Sequence, residues 1–252
     1  MRGRQDGATL MTYAALVVVT AAAWLSMLGS PMSGDMAGME MAMAPTPGDG
    51  IAFVVAWAIM MVAMMLPSAM PMIGLYAAMQ RDAASAVRIA AIASFAVMYV
   101  VLWAVTGVPI YFASVALMAI APTTLAYTIA GVLFVAGVFQ LSPFKQVCLR
   151  HCRSPLGFLL GHWREGWRGG MAMGWAHASY CLGCCWALMV VLVVAGAMGL
   201  PWVLLLACVV AAEKILPHGD WVARTTGIAL ALLGVAVAIQ PGLATVLRAS
   251  PT

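Results

Sequence analysis

The charged residues of this chain fall in narrow bands, and the long uncharged runs between them decide what it can fold into. Between Asp6 and Asp35 lie 28 residues without a charge; Asp49 to Arg81 encloses 31, Arg88 to Lys145 56, Arg168 to Glu213 44 and Arg224 to Arg248 23. A helix crossing the bilayer needs about 20 apolar residues, so these runs hold one, one, two, two and one spans. Over all 252 residues only 8% are charged and 65% are hydrophobic, against about 25% charged in an ordinary soluble domain. Soluble, disordered, collagen-like and small disulfide-scaffold classes are thereby excluded. The fold class is all-α, a polytopic membrane helix bundle of about seven transmembrane helices.

The spans are expected near residues 10–29, 51–78, 88–107, 123–141, 171–197, 201–217 and 225–243. The segment 108–122, bounded by Pro109 and Pro122, reads as an external loop, a re-entrant segment or a short interfacial helix. A second short interfacial helix is expected within 155–167, where Trp163 and Trp167 lie. Seven helices with the N-terminus inside place eleven of the twelve basic residues on the cytoplasmic side, Lys145 and Lys214 among them, and leave only Arg248 outside. The first apolar run is longer than the core of a secretory signal and reads as a helix, not a cleaved leader. The whole of 1–252 is one integral membrane domain, with a Met-rich periplasmic loop at 30–50 and a basic cytoplasmic loop at 142–170. The net charge of +4, without a basic tail, gives no sign of a nucleic-acid partner.

Within this apolar chain sulfur is abundant, with 21 Met and 6 Cys. Eleven Met fall between Met32 and Met72. Met32, Met36, Met39, Met41 and Met43 lie in the first outside loop, and Met60, Met61, Met64, Met65, Met70 and Met72 on the second helix. Thioethers are soft ligands without a proton to lose and suit Cu(I). The loop Met residues have little to pack against and read as metal capture or as compositional filler. On the helix, Met60 with Met64 and Met61 with Met65 are i,i+4 pairs, which packing also explains. Pro67 and Pro71 are expected to kink or break that helix and free carbonyls.

The fifth span carries His177-Ala-Ser-Tyr-Cys181-Leu-Gly-Cys184-Cys185-Trp186. His177, Cys181 and Cys185 are spaced i, i+4, i+8, and Cys184 follows Cys181 by three, so one helical face presents an imidazole and up to three thiols. An intramembrane His needs a polar partner or a function, and metal or redox chemistry outweighs simple packing here. Cys208 reads as a core residue. On the cytoplasmic side Cys148 and Cys152 share a helical face, and Lys145, Arg150 and Arg153 around them would favour thiolate. Two Cys do not close a zinc site, so His151 or the fifth span is needed to complete one. Glu213, in a predicted span, either pairs with Lys214 or a loop Arg as an anchor or serves the site.

These residues together resemble a bacterial family of uncharacterised predicted metal-binding integral membrane proteins. The likeness runs through Trp57-x-x-Met60-x-x-Ala63-Met64-Met65-x-Pro67, Lys145-x-x-Cys148-x-x-x-Cys152-x-x-Pro155, Gly170-x-x-x-Gly174, His177-x-x-x-Cys181-x-Gly183-Cys184-Cys185-Trp186-x-Leu188-Met189 and Glu213-Lys214. It covers roughly residues 50–220 and implies a membrane location and metal binding; it supplies no transport or catalytic assignment.

The expected metal is Cu(I), with zinc less favoured and hard ions disfavoured by the scarcity of carboxylates. The leading reading is a Cu(I)-handling protein of the bacterial inner membrane, a carrier or a delivery factor. Its partners would be the lipid bilayer and a periplasmic copper protein or membrane cuproenzyme. The alternatives are a transmembrane thiol–disulfide relay and a structural subunit of a larger complex. No motif of a hydrolase or nucleotide-dependent enzyme is present.

Overall fold

A computed structural model describes residues 2–29, 47–80, 82–194 and 199–248. Among them the chain forms ten helices: α1 Arg2–Gly29, α2 Pro47–Met79, α3 Ser85–Met118, α4 Pro122–Gln140, α5 Pro143–Arg153, α6 Pro155–His162, α7 Gly166–Val194, α8 Leu200–Ile215, α9 Gly219–Ile239 and α10 Gly242–Arg248. Six of these are long and apolar enough to cross a membrane: α1, α2, α3, α4, α7 and α9. The chain is therefore an all-α membrane helix bundle.

Three expectations need correction. The sixth expected span, at 201–217, is the shorter α8 of 16 residues, about 24 Å long against a hydrocarbon core of about 30 Å. It stops because Leu216 precedes Pro217, which pushes Leu216 to an extended conformation with ψ 144°. The segment after residue 107 is neither loop nor re-entrant as far as Met118: α3 runs straight through Pro109. Its outer part is held by packing, with Tyr111 against Phe53 at 5.4 Å between ring centroids. Finally, α2 is not broken at Pro67 and Pro71 but remains one helix across them. Pro67 brings no N–H to the Ala63 carbonyl, and the indole Nε1 of Trp24 donates to that oxygen instead, at 3.1 Å. The expected short helix in 155–167 is α6, and Trp163 beyond it packs edge-on against Tyr76.

Helices α1, α2 and α3 alternate in direction. Tyr13 and Trp24 of α1 meet Gly74 and Ala63 of α2. In turn Trp57 Nε1 of α2 donates to the Trp103 carbonyl and to Thr106 Oγ1 of α3. Helix α7 then runs parallel to α3 along Gly170-x-x-x-Gly174. A Cβ at Gly170 would lie 2.2 Å from the Ala91 carbonyl oxygen, and one at Gly174 2.4 Å from that of Phe95. Only the absence of side chains lets the two backbones meet, as in other small-residue membrane crossings. This contact sets the register that brings Tyr99 of α3 to Cys181 of α7.

Helix α5 is amphipathic for a local reason. Ser142 caps it by accepting from the Lys145 N–H, and Pro143 occupies the first turn. Its buried residues, Lys145, Cys148, Leu149 and Cys152, follow i, i+3, i+4, i+7, so a single stripe is turned onto α7 and α8.

The α3–α7 contact predicts that Gly174→Leu destabilises the bundle by at least the roughly 1–3 kcal/mol of ordinary overpacking. Gly131→Ala, where an added Cβ meets nothing within 4 Å, should be silent. Thermal unfolding of both variants in detergent, followed by helical circular dichroism, checks this. Equal melting temperatures would contradict it.

Candidate metal centre

His177, Cys181, Cys184 and Cys185 are all buried inside the bundle, and α5 brings Cys152 to them. The Cys152 Sγ lies 3.9 Å from Cys184 Sγ, which in turn lies 3.4 Å from Cys185 Sγ. Cys181, one turn before Cys185 on α7, accepts through its carbonyl from the Cys184 thiol at 3.2 Å. Four thiols from two helices thus share one chamber. Two further groups converge on Cys181: Lys214 Nζ donates to its sulfur at 2.9 Å, and the Tyr99 hydroxyl lies 3.0 Å away. Among the described residues no three His, Cys, Asp or Glu side chains already enclose a common metal position; the sulfurs touch one another instead. With metal–sulfur bonds of about 2.3 Å, a bridged pair spans up to about 4.6 Å, so the 3.9 Å pair of Cys152 and Cys184 needs to open by less than an ångström.

One turn before Cys181, His177 sits among aromatic rings. Tyr99 stacks on it at 5.5 Å, with Phe95 at 6.0 Å and Phe158 edge-on at 5.5 Å. Its Nδ1 is buried without a hydrogen-bond partner, which is costly unless a ligand or proton donor supplies the bond. On α2, Met60, Met61, Met64 and Met65 are all buried. Tyr99 connects this helix to the thiols, since its hydroxyl donates to the Met65 carbonyl at 3.2 Å as well as touching Cys181.

The basic residues around α5 do not serve its thiols as expected. Lys145 turns inward and donates to Glu213 Oε2 at 2.7 Å and to Gln140 Oε1, while Gln140 Nε2 donates to Glu213 Oε1 at 2.9 Å. Arg153 is committed to Asp220 at 2.7 Å and to the carbonyls of Leu216 and Pro217. Arg150 is exposed. Burial therefore pushes the Cys148 thiol up from its ordinary value rather than toward thiolate. Cys148 fills the space over Gly183, where a Cβ would lie 2.8 Å from its sulfur. His151 stacks on Tyr180 of α7 at 4.2 Å, with its Nδ1 2.9 Å from the Val147 carbonyl oxygen. Glu213 pairs with Lys145, not with Lys214. Cys208, expected in the core, is exposed. Met32, Met36, Met39, Met41 and Met43 lie outside the described residues.

A family model described as PpoB2, copper chaperone, matches residues 54–237, a segment that holds every one of these thiols. The chain belongs to this copper chaperone family. No curated protein and no solved structure matches it. The match gives the metal-binding expectation a definite element, copper, and leaves the Met-rich loop outside the family's segment. Inside that segment, three members of the site escaped the sequence reading. Lys214 counts there as a cytoplasmic charge, Tyr99 as one aromatic among many, and Ser68 as nothing. Lys214 and Ser68 share a signal that was present: a strong hydrogen-bonding side chain inside an otherwise apolar run.

Two measurements test this geometry in the copper chaperone. Glu213→Ala should destabilise the bundle by about 3–5 kcal/mol, because it leaves the Lys145 ammonium buried and unpaired. The double variant Lys145→Met/Glu213→Met should recover most of that loss in thermal unfolding. Native protein treated with N-ethylmaleimide should lose one thiol, Cys208, with five more reacting only after denaturation. Early reaction of Cys152 would contradict the docked position of α5.

Proposed function

We propose that this copper chaperone is a membrane-embedded holder of Cu(I) that passes its ion to a membrane or periplasmic cuproenzyme of the bacterial inner membrane. The observation that carries the reading is the convergence of Cys152, Cys181, Cys184 and Cys185, all buried, where α5 meets α7. Copper is the cargo here, and the donor set fits it. Thiols and thioethers are soft donors, which disfavours hard ions, and the thioethers beside them suit Cu(I); the buried imidazole is a borderline donor that copper also takes. Methionine residues of the first loop would collect the ion outside, α2 would guide it, and the thiols would hold it. Cys148, His151 and Glu213 act on this reading through packing and the placement of α5, not as ligands. An ion held by buried thiols leaves by ligand exchange rather than through water, which suits handover to a partner protein.

A thiol–disulfide relay is favoured by one feature only, the approach of Cys152 to Cys184 across two helices. Both readings are separated by elemental analysis of detergent-purified protein together with a thiol count. Copper near one per chain, lost in the triple variant Cys181→Ser/Cys184→Ser/Cys185→Ser, is the expected result. Metal-free protein with a reversible Cys152–Cys184 disulfide would overturn it in favour of the relay.

A further inference from the structure

Lys214 is the penultimate residue of α8 and the only cation that touches the thiols among the described residues. Its ammonium, in a side chain that is itself buried, donates to Cys181 Sγ at 2.9 Å and to Ser68 Oγ at 3.1 Å. Neither partner is a carboxylate. Its sequence neighbour Glu213 points elsewhere and is bound by Lys145 and Gln140, so that pair is neutral in itself. The thiol cluster thus has one positive charge against it, held on Cys181.

We propose that Lys214 is a positioning residue that makes the site selective for a monovalent soft ion, by serving as fixed counter-charge to a two-sulfur complex anchored on Cys181. The inference rests on the Cu(I)-holding reading and adds to it the source of selectivity. A buried charge is tolerated only when compensated. One Cu(I) on two thiolates carries a net charge of −1, which the ammonium neutralises. A divalent ion on the same two thiolates is already neutral, and leaves the ammonium uncompensated. In the binding step one S–Cu bond forms at each of the two sulfurs, any proton on those sulfurs leaves to water, and no electron is transferred. The ammonium keeps its protons and its hydrogen bond to Cys181, as outer-sphere donors to metal ligands generally do. Ser68 takes the ammonium's second hydrogen bond, at 3.1 Å.

The test uses the full chain in detergent with a chromophoric Cu(I) competitor and, separately, a Zn(II) competitor. Lys214→Leu removes the charge without adding a metal donor; it should weaken Cu(I) binding at least tenfold while leaving Zn(II) binding equal or tighter. Lys214→Arg should restore most of the Cu(I) preference. Equal losses for both metals, or no change for Cu(I), would overturn the proposal. Wild-type protein supplies a second measurement that does not depend on a variant folding. Ag(I) should displace bound Cu(I), whereas Cd(II), equally soft but divalent, should not; displacement by Cd(II) at comparable concentration would overturn the proposal. If wild-type protein holds no Cu(I) on Cys181, Cys184 and Cys185, the functional reading fails instead, and the two failures are distinguishable.

Discussion

Burial of Lys145 against Glu213 organises the region where the chemistry lies. A lysine side chain with no exposure is costly in an apolar bundle unless it finds a counter-charge and hydrogen bonds. It finds both, in Glu213 of α8 and in Gln140 at the end of α4. This one pairing ties a short helix outside the long spans to two others. The rest of the buried stripe of α5 follows: Cys148 settles over Gly183, and Cys152 reaches Cys184. Because Glu213 is used in this way, Lys214 beside it is left facing sulfur. The structural ion pair and the candidate metal chamber therefore sit back to back on the last turn of α8.

A second constraint acts from the other side. Gly170 and Gly174 let α7 approach the backbone of α3, which delivers Tyr99 to Cys181 and packs Phe95 and Tyr99 around His177. The chamber is closed by elements that rigid packing holds in register rather than by loops. Sites supported this way keep their ligands prepositioned.

The architecture was legible in the spacing of charges, because a helix in lipid tolerates few of them and each uncharged run has a length that counts spans. The thiol face of α7 was legible as well, since i, i+4, i+8 spacing puts residues on one side of any helix. Less legible was everything decided by tertiary packing. Pro109 reads as a breaker, yet α3 passes through it with Tyr111 packed on Phe53. Lys145 and Lys214 read as cytoplasmic charges under the positive-inside rule, which weighs charges near span ends and has no term for a lysine buried by a partner. The basic flank of Cys148 and Cys152 reads as thiolate-promoting, but Lys145 and Arg153 turn to carboxylates on other helices. In each case the residue type was visible and its partner, distant in sequence, was not.

The central claim is that copper is held where α5 and α7 meet, by Cys181 together with at least one of Cys152, Cys184 and Cys185. An anomalous-scattering map from crystals of the copper-loaded chain, recorded at the copper edge, tests it most directly. The account predicts one strong peak within bonding distance of Cys181 Sγ and a second of these sulfurs, with Lys214 Nζ still beside Cys181. A peak elsewhere, on the first-loop methionines alone or at Cys208, with the four thiols in contact as they are here, would contradict it.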